Sequence, residues 1–463
     1  MKELEPYDDQ FELIGNIRVG MKKYKTNLIV SPTGSGKTII AAYLMKAAIT
    51  KGRKVIFSVP RRNLMEQTSK SFDSYDINHS FISSGKYHNP FSNAFIGTID
   101  TMASRLMKLP SADLVVIDET HFGANSLGKV INHYKRQGAW VLGLSASPWK
   151  LNGKGLGCWF ENMIEGKSVK WLIENKRLSE YKYFCGKTKP DLSKIKVNGG
   201  DYAKSELSDF MEHQGAIIGD CVSDYKNRCL GNIHIVRCAS IKHSLMVAES
   251  FNDAGIRAVH VDGNTHAKEL ERIFKAFAKR EISVVTFCDL LGFGFDLSQI
   301  SGIDVCIESI SDLKPSKSLA AQLQYWGRGL RMKDKPAIIH DHVNNYVEHG
   351  FPDDIREWSL RDRLQTRGAS EDRALPVKMC TECFFTHRPA PRCLNCGYEY
   401  PIKYREIDEV DGELVEIDPA TIARREQKNK EQEYWRLVDK GKKMGMKNPE
   451  LWAKNIQLTG SIR

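Results

Sequence analysis

Residues 31–38 constrain the fold of this chain more than any other segment. They read Ser-Pro-Thr-Gly-Ser-Gly-Lys-Thr, after the apolar run 27–30 and before a helix-like stretch that starts at Ile39. Glycines let successive N–H groups turn inward around phosphate oxygens, and the following helix presents the positive end of its dipole. A strand, such a loop and a helix in this order predict a phosphate-binding P-loop in an α/β fold. Ser31 stands where the general pattern has glycine, so a Gly/Ser-rich turn remains the alternative for this motif alone.

A second motif, Leu114–Glu119, supports the phosphate site. It is an apolar run that ends in two adjacent carboxylates, Asp118 and Glu119. At the carboxyl end of a parallel strand, Asp118 and the Thr38 hydroxyl would hold Mg²⁺, while Lys37 would reach the β- and γ-phosphates. Glu119 would orient or deprotonate the attacking water. An acidic turn at a strand end explains this motif alone, but not both motifs in this order.

Short β-branched runs recur along the chain, each followed by a turn signal and a helix-like stretch. The runs that we predict as strands include Asn27–Ser31, Lys54–Val59, Leu114–Ile117, Val141–Leu144, Ile233–Val236, Ser283–Phe287 and Asp304–Ile307. Such alternation predicts parallel sheets with helices on both faces. The pattern stops between Trp149 and about Asn232, which we interpret as a connecting region. We therefore predict two α/β domains in tandem, residues 1–180 and 200–345.

Further motifs follow in an order that is typical of one family. They are Phe57–Gln67, Gly97–Thr101, Gly143–Pro148, Val261–Gly263 with Glu271–Arg272, Gly294–Asp296 and Gln324–Arg331. With the two phosphate motifs, they resemble the superfamily 2 helicases of the DExH class, whose DEAH-type box is similar to Asp118-Glu-Thr-His121. The resemblance covers about residues 4–345. It implies two RecA-like domains that hydrolyse ATP and bind nucleic acid.

The resemblance also implies roles for individual residues. Nucleotide contacts are implied for Pro32, Thr33, Gly34, Ser35, Gly36, Lys37, Thr38, Gln10, Gly294 and Asp296. Catalytic roles are implied for Asp118, Glu119, Gln324, Arg328 and Arg331. Contacts to the nucleic-acid backbone are implied for Arg61, Arg62 and Thr98, and coupling of hydrolysis to movement for His121, Ser145 and Ser147. The chain departs from the family at Gln10, because Asp8 and Asp9 separate it from the Pro6-Tyr7 pair that such a glutamine follows directly.

Arg328 and Arg331 suit the role of arginine fingers. A guanidinium stays charged and forks onto phosphate oxygens, so it stabilises charge that spreads over a transferring γ-phosphoryl group. Since both arginines belong to the second domain, hydrolysis would require the domains to close on ATP, and reopening would produce a step along a strand. A basic surface helix is the alternative.

Four of the eleven cysteines form two Cys-x-x-Cys pairs, Cys380 with Cys383 and Cys393 with Cys396. Each pair turns two thiolates toward one point, and four thiolates close a tetrahedral Zn²⁺ site without an open position. We therefore predict a structural zinc ribbon over residues 374–401, with a redox pair as the alternative. His387 is predicted at the surface rather than as a ligand. Basic and aromatic neighbours suit either nucleic-acid contact or a small core: Phe384, Phe385, Arg388, Arg392 and Tyr398.

Charge and composition narrow the partners. A formal net charge of +11 and a pI near 9.0 suit a polyanionic partner. Residues 402–463 are predicted as an acidic segment and a basic helical tail, since Glu406–Asp418 holds seven acidic and no basic residues. No run approaches the ~20 apolar residues of a membrane span, and Met1–Gln10 is too polar for a signal peptide. We expect a cytoplasmic protein without a membrane partner.

These observations predict an ATP-dependent DNA helicase or translocase that uses ATP, Mg²⁺ and Zn²⁺. It would act on branched or partly duplex DNA in repair, recombination or replication. The preference for DNA rests on resemblance, because a short motor core with an appended zinc ribbon looks like bacterial and phage repair-type helicases. Two alternatives stay open: an RNA helicase, and an ATP-switched nucleic-acid binding module that separates no strands. We expect a monomer, with replication or repair proteins as further partners.

Overall fold

The structure is a computed structural model. It describes residues 5–83, 89–122, 124–186, 190–288, 297–362 and 377–401, and parts of 431–459. Met1–Tyr400 forms one compact unit and Pro401–Arg463 a second. Among the described residues, no helix is both long and apolar enough to cross a bilayer.

A seven-stranded sheet occupies the first part of the chain. Its strands are β1 (Thr26–Val30), β2 (Val55–Val59), β3 (Ser80–Ile82), β4 (Ala94–Thr98), β5 (Leu114–Ile117), β6 (Trp140–Ser145) and β7 (Asn162–Glu165). They are parallel, in the order β3-β4-β2-β5-β6-β1-β7. The helices beside them are α1 (Asp8–Lys23), α2 (Lys37–Ile49), α3 (Arg62–Ser74), α4 (Ile99–Ala103), α5 (Ala124–Arg136) and α6 (Val169–Glu174), with a 3₁₀ turn at Leu106–Lys108.

Successive residues of β1 lie in different apolar clusters. Ile29 packs in a cluster with Leu13 of α1 and Ile40 of α2. Leu28 belongs to a second cluster, with Leu127 of α5. A strand that is buried on both faces of a parallel sheet shows this period of two. The strand that leads into residues 31–38 is therefore fixed from both sides.

A second parallel sheet follows. Its strands are β8 (Tyr181–Cys185), β11 (His234–Arg237), β12 (Ala258–Val261), β13 (Val284–Phe287), β14 (Ser309–Asp312) and β15 (Ala337–Asp341), in the order β12-β13-β11-β14-β15-β8. Its helices are α7 (Lys204–Glu212), α8 (Gly215–Arg228), α9 (Ile241–Asp253), α10 (Ala267–Ala278), α11 (Leu297–Ser301), α12 (Leu319–Gly329) and α13 (Tyr346–His349). Two short antiparallel pairs are β9 (Val197–Asn198) with β10 (Asp201–Tyr202), and β16 (Lys378–Met379) with β17 (Thr386–His387).

One predicted strand is wrong. Residues Asp304–Ile307 form no strand, and the strand of this region is instead β14. The hydroxyls of Ser309 and Ser311 in β14 lie 2.7 and 3.0 Å from the two ring nitrogens of the buried His234. Because its polar side chains are hydrogen-bonded inside the core, β14 lacks the continuous apolar run from which a buried strand is predicted.

The stretch predicted as a connecting region contributes to both sheets. It contains β7, the edge strand of the first sheet beside β1, and β8, the edge strand of the second sheet beside β15. In β8, Tyr183 is buried and donates from its hydroxyl to Asp341 of β15 at 2.9 Å. The neighbouring Lys182 is exposed, so the strand reads as polar in sequence.

In the second unit, Pro449–Thr459 forms a helix. Ala453 within it is buried, whereas Leu451 is exposed. Much of the predicted acidic segment and basic tail, including all of Glu406–Asp418, lies outside the described residues.

Candidate functional site

The P-loop connects the end of β1 to the start of α2. Gly34 and Gly36 have φ angles of 87° and 84°, a left-handed conformation that favours glycine. The Lys37 ammonium donates to the carbonyl oxygens of Ser31 and Pro32 at 3.0 and 3.1 Å, and so lies across the loop. The Ser31 hydroxyl donates to Ser35 Oγ at 2.7 Å. The side chain of Ser31 therefore bonds across the loop at the position where the general pattern has glycine.

Two carboxylates meet this loop from β5. Asp118 follows the last residue of β5, and Glu119 adopts a φ of 49°, which is uncommon for a residue with a side chain. Burial raises the pKa of Asp118 to about 7, the neighbouring Glu119 charge adds to the rise, and the Lys37 ammonium opposes it. Burial also raises the pKa of Glu119, against the charges of Lys37 and Arg328. A lysine from the first sheet's P-loop and an arginine from α12 thus act on the same carboxylate.

Gln324 of α12 connects the two sheets at this carboxylate. Its side-chain Nε2 donates to Glu119 Oε2 at 2.9 Å and lies 3.0 Å from His121 Nε2. All three residues are buried. The Oε1 atom of Gln324 is also buried and has no hydrogen-bond partner. A residue of the second sheet therefore completes the surroundings of Glu119.

His121 extends these contacts to β6. Burial, with the Lys37 charge adding, lowers the pKa of His121 to about 3, so the ring is neutral near pH 7. Since Gln324 donates to Nε2, the proton of the neutral ring lies on Nδ1, which faces Ser145 Oγ at 3.2 Å. Ser145 Oγ in turn accepts from the Ser147 N–H at 3.3 Å. The three residues expected to couple hydrolysis to movement thus form one chain of hydrogen bonds.

Gly327 brings α12 directly onto the P-loop. A methyl group added at Gly327 would lie 2.5 Å from Thr33 Cβ, so a larger residue would push the two sheets apart. One turn of helix separates Gln324 from Arg328, which is buried. Arg331 follows the end of α12 and forms a β-bridge with Leu178. Close packing at Gly327 is therefore what brings both arginines to the P-loop.

Gln10 braces the P-loop from α1. Its Nε2 donates to the Ser35 carbonyl at 2.9 Å, and its Oε1 accepts from the Tyr7 N–H at 3.0 Å. A side chain at Gly36 would collide with this amide. Gln10 therefore bonds to the protein at both ends of its amide while it lies beside the loop.

One cleft of about 420 Å³ between the two sheets also exposes Thr38. Its lining includes Gln10, Gly34, Gly36, Lys37, Asp118, Glu119, Gln324, Arg328 and Arg331. The volume is within the usual range of small-ligand sites. Its donor set fits a nucleoside triphosphate with a divalent cation. Lys37, Arg328 and Arg331 supply positive charge, and the half-buried Asp118 carboxylate, in the same cleft as Thr38, supplies the oxygen ligands that Mg²⁺ prefers.

The four cysteines of the predicted ribbon converge on one point. All four Sγ atoms lie within 4.8 Å of one another. Cys380 Sγ lies 3.7 Å from Cys396 Sγ, and Cys383 Sγ lies 3.6 Å from Cys393 Sγ. Tetrahedral zinc with Zn–S bonds of about 2.3 Å gives sulfur separations of roughly 3.8 Å, while a disulfide needs about 2.05 Å. The arrangement fits a four-thiolate metal site.

The surroundings of the cysteines correct one expectation. His387 is buried rather than at the surface, with Nδ1 2.6 Å from the Arg388 carbonyl oxygen and Nε2 2.8 Å from the Tyr400 hydroxyl. Phe385 packs on Phe184 of β8 at 5.6 Å between ring centroids. The cysteine ribbon, residues 377–400, therefore covers the edge of the second sheet.

Two family models match the chain. Residues 3–150 match the type III restriction enzyme res subunit, and residues 222–333 match the helicase conserved C-terminal domain. A "51.5 kDa protein" of a Lactococcus phage is 31% identical over 401 residues, which cover 85% of this chain and 83% of that protein. A candidate ATP-dependent helicase of Saccharomyces cerevisiae, IRC3, is 26% identical over 357 residues, 72% of this chain but only 50% of its own length.

The chain belongs to the superfamily 2 helicases. Its enzyme class is that of the ATP-hydrolysing helicases, a family that requires ATP and Mg²⁺ and binds nucleic acid. The fold is shared with a fragment of a candidate HsdR subunit of a type I restriction enzyme from Vibrio vulnificus, with a TM-score of 0.58 at 16% identity, over 75% of this chain and 66% of that one. The predicted fold class, with two parallel-sheet domains and a four-cysteine cluster, is confirmed.

In this helicase, the residues expected to contact nucleic acid lie at the carboxyl ends of two neighbouring strands of the first sheet, β2 and β4. Arg61 and Arg62 follow β2 and are exposed, and Thr98 ends β4, whose partner in the register is Val59 of β2. Thr98 is buried, and its hydroxyl donates to Thr101 Oγ1 at 2.8 Å. Its side chain thus caps α4. Gly294 and Asp296, which were expected to contact nucleotide, lie outside the described residues.

Sequence reasoning missed one charged residue of the cleft. Arg177 lies in the turn after α6 and lines the same cavity as Lys37 and Arg331. Its guanidinium pairs with Asp9 at 2.8 Å. It belongs to a polar stretch without a motif, so only the packing of the turn reveals its position.

Proposed function

We propose that this helicase uses ATP to translocate on DNA and to separate strands of branched or partly duplex DNA, in repair, recombination or replication. The observation that supports the proposal best is the contact from Gln324 to Glu119 and His121, which joins the two sheets across the ATP cleft. A catalytic site that depends on domain closure can convert hydrolysis into relative movement of the domains.

Within the proposed site, each residue has a chemical task. Glu119 orients the attacking water or takes its proton, and the unpartnered Oε1 of Gln324 offers a second acceptor beside it. Arg328 and Arg331 stabilise the charge that develops on the transferring γ-phosphoryl group. Thr38 and Asp118 would hold Mg²⁺, which would supply positive charge to neutralise the phosphate oxygens. Gln10 and residues 32–36 fix the shape of the loop that receives the phosphates.

Movement would pass from the cleft through His121 to Ser145 and Ser147. The neutral imidazole contacts Gln324 on one side and Ser145 on the other, so withdrawal of α12 would remove the hydrogen bond at the Gln324 end of this chain. Strand contact is proposed for Arg61, Arg62 and Thr98, at the carboxyl edge of β2 and β4. Gly294 and Asp296 keep their proposed nucleotide role on resemblance alone.

Cys380, Cys383, Cys393 and Cys396 are proposed to bind zinc, since the sulfur separations suit it. The proposed domain limits are 1–180, 200–345, 374–401 and 402–463. Arg388 pairs with Asp354 at 3.0 Å and Phe385 packs on β8. These contacts favour a structural ribbon, whose core stabilises the second domain, over a ribbon that grips nucleic acid.

The decisive experiment compares nucleic acids as activators. ATP turnover is measured alone and with single-stranded DNA, forked DNA and RNA, and strand displacement is then followed on the best activator. We expect the largest stimulation with forked DNA, together with ATP-dependent displacement. Glu119→Gln should bind ATP but neither turn it over nor displace a strand.

Other outcomes would overturn parts of the proposal. Stimulation by RNA alone would identify an RNA helicase. Stimulated turnover without displacement would identify an ATP-switched binding module. A turnover rate indifferent to every nucleic acid would contradict the proposed motor, and wild-type-like turnover by Glu119→Gln would contradict the role of that carboxylate.

A further inference from the structure

Arg177 has surroundings that the proposed catalytic roles do not explain. Its guanidinium carbon lies 3.3 Å from the ring centroid of Tyr7, so the planar cation stacks on the phenol. Its Nη1 atom donates to Asp9 at 2.8 Å, in an ion pair whose side chains are only 17% and 9% exposed. Both Tyr7 and Arg177 line the cleft that contains the P-loop. A flat cation–π pair therefore forms part of the wall of the nucleotide cleft.

The turn that carries Arg177 is fixed on three sides. The Ser179 N–H donates to the Leu330 carbonyl at 2.9 Å, and Leu178 forms a β-bridge with Arg331. Leu178 also packs on the P-loop, where a methyl group at Gly34 would lie 2.9 Å from its Cδ2 atom. The guanidinium is consequently held in place before any ligand arrives, which reduces the entropy that binding would cost.

The Gln10 amide has little hydrogen-bonding capacity left for the edge of a nucleobase. Its Oε1 accepts from the Tyr7 N–H, and its Nε2 donates one hydrogen to the Ser35 carbonyl. Stacking needs no such edge contacts, because every nucleobase has a π face, and guanidinium planes and phenol rings are both good stacking partners. A larger purine ring gains more from stacking than a pyrimidine.

We propose that Arg177, stacked on Tyr7 and held by Asp9, contacts the nucleobase of the bound triphosphate and selects purines over pyrimidines. The inference rests on the proposed ATP site, and it assigns to a residue outside the helicase motifs the discrimination between bases. The phosphate end of the ligand stays with Lys37 and the arginines of the second domain. Base and phosphates are thus recognised by separate parts of the cleft.

The test compares Arg177→Ala and Arg177→Lys with the wild type, using ATP, GTP, CTP and UTP. Arg177→Ala should raise the KM for both purine nucleotides by roughly tenfold, the scale of losing a stacked base. The KM for CTP and UTP should change by less than about threefold, because their smaller rings gain less from the stack. Arg177→Lys keeps a charge for Asp9 but lacks the plane, so it should resemble the alanine variant. Arg53→Ala, which removes an arginine from an exposed ion pair with Asp113, is the matched control.

A ligand without a base separates recognition from a structural role. Binding of ADP and of inorganic tripolyphosphate is measured for each variant by calorimetry. Arg177→Ala should weaken ADP but leave tripolyphosphate unchanged; equal weakening of both, or a purine preference that survives in Arg177→Ala, would overturn the inference. A wild-type protein that hydrolyses no triphosphate would instead refute the proposed function itself, so the two failures are distinguishable.

Discussion

The ATP cleft and the cysteine ribbon are both predicted from short motifs, but the chain assembles them in different ways. Cys380 and Cys396, whose sulfurs are in contact, are 16 residues apart. Glu119 and Gln324, whose side chains are hydrogen-bonded in the cleft, are 205 residues apart. The cysteine ribbon is built from residues that are close in the chain, and metal binding supplies most of its folding free energy. The ATP cleft is built from distant residues, so its geometry depends on how the two sheets pack against each other.

This difference predicts where each site is fragile. When one thiol is removed, the ribbon should lose its metal and unfold, while the cleft stays largely intact. When any contact between α12 and the P-loop is removed, the cleft should lose ATP turnover, even if both sheets remain folded.

The largest effect is expected from Arg331→Ala. Arg331 lines the cleft beside the end of α12, and losing an arginine finger costs roughly a thousandfold in turnover. We expect DNA-stimulated ATP turnover to fall by about that factor, while ATP binding measured by calorimetry stays within threefold. Arg53→Ala is the control. If Arg331→Ala keeps DNA-stimulated turnover, then ATP hydrolysis does not need the arginine that follows α12.

A smaller loss is expected from Gln324→Ala, which removes the hydrogen bonds to Glu119 and His121. Misplacing a catalytic group by about 1 Å costs roughly a hundredfold, so kcat should fall by about that amount with little change in KM. Gln137→Ala, an exposed glutamine of the first domain, is the control. Turnover that changes by less than threefold would mean that Glu119 is held by the first domain alone.

For the ribbon, Cys393→Ser should lower the zinc content from about one per chain to none and unfold the ribbon, because four thiolates are needed to close the site. Elemental analysis measures the metal, and ATP binding should stay within threefold of the wild type. Cys158→Ser, which replaces an exposed cysteine outside the cluster, is the control. Wild-type protein without zinc would refute the site, and lost ATP binding would show that the two regions are not independent.

The smallest effect concerns the segment that follows α13. Trp358 packs edge-on against Trp149 at 5.0 Å between centroids, and the Trp149 indole donates to the Arg361 carbonyl at 2.9 Å. Trp358→Ala should lower the melting temperature by a few degrees, since a half-buried aromatic contact is worth roughly 1–2 kcal/mol. Trp358→Phe should recover most of the loss in the same thermal scan. An unchanged melting temperature for the alanine variant would show that this segment does not stabilise the first domain.

Local sequence determined the parts of the molecule whose physics is local. The order of glycines in residues 31–38 forces a loop with left-handed positions at Gly34 and Gly36. The spacing of the cysteines brings four sulfurs together, and apolar runs that are buried on both faces gave β1, β2 and β5 within one residue of their ends. The family and the enzyme class follow from these motifs in their order.

Only the tertiary structure decided which distant side chains meet. It showed that β14 is a strand whose serines serve His234, that β8 closes the second sheet, and that Arg177 faces the nucleotide cleft. None of these three features can be predicted from the sequence. A polar residue has the same letter whether its side chain is solvated or hydrogen-bonded to a partner far along the chain. The contact from Gln324 to Glu119 belongs with them: the sequence supplies the two residues, and the packing of Gly327 on Thr33 brings them within hydrogen-bonding distance.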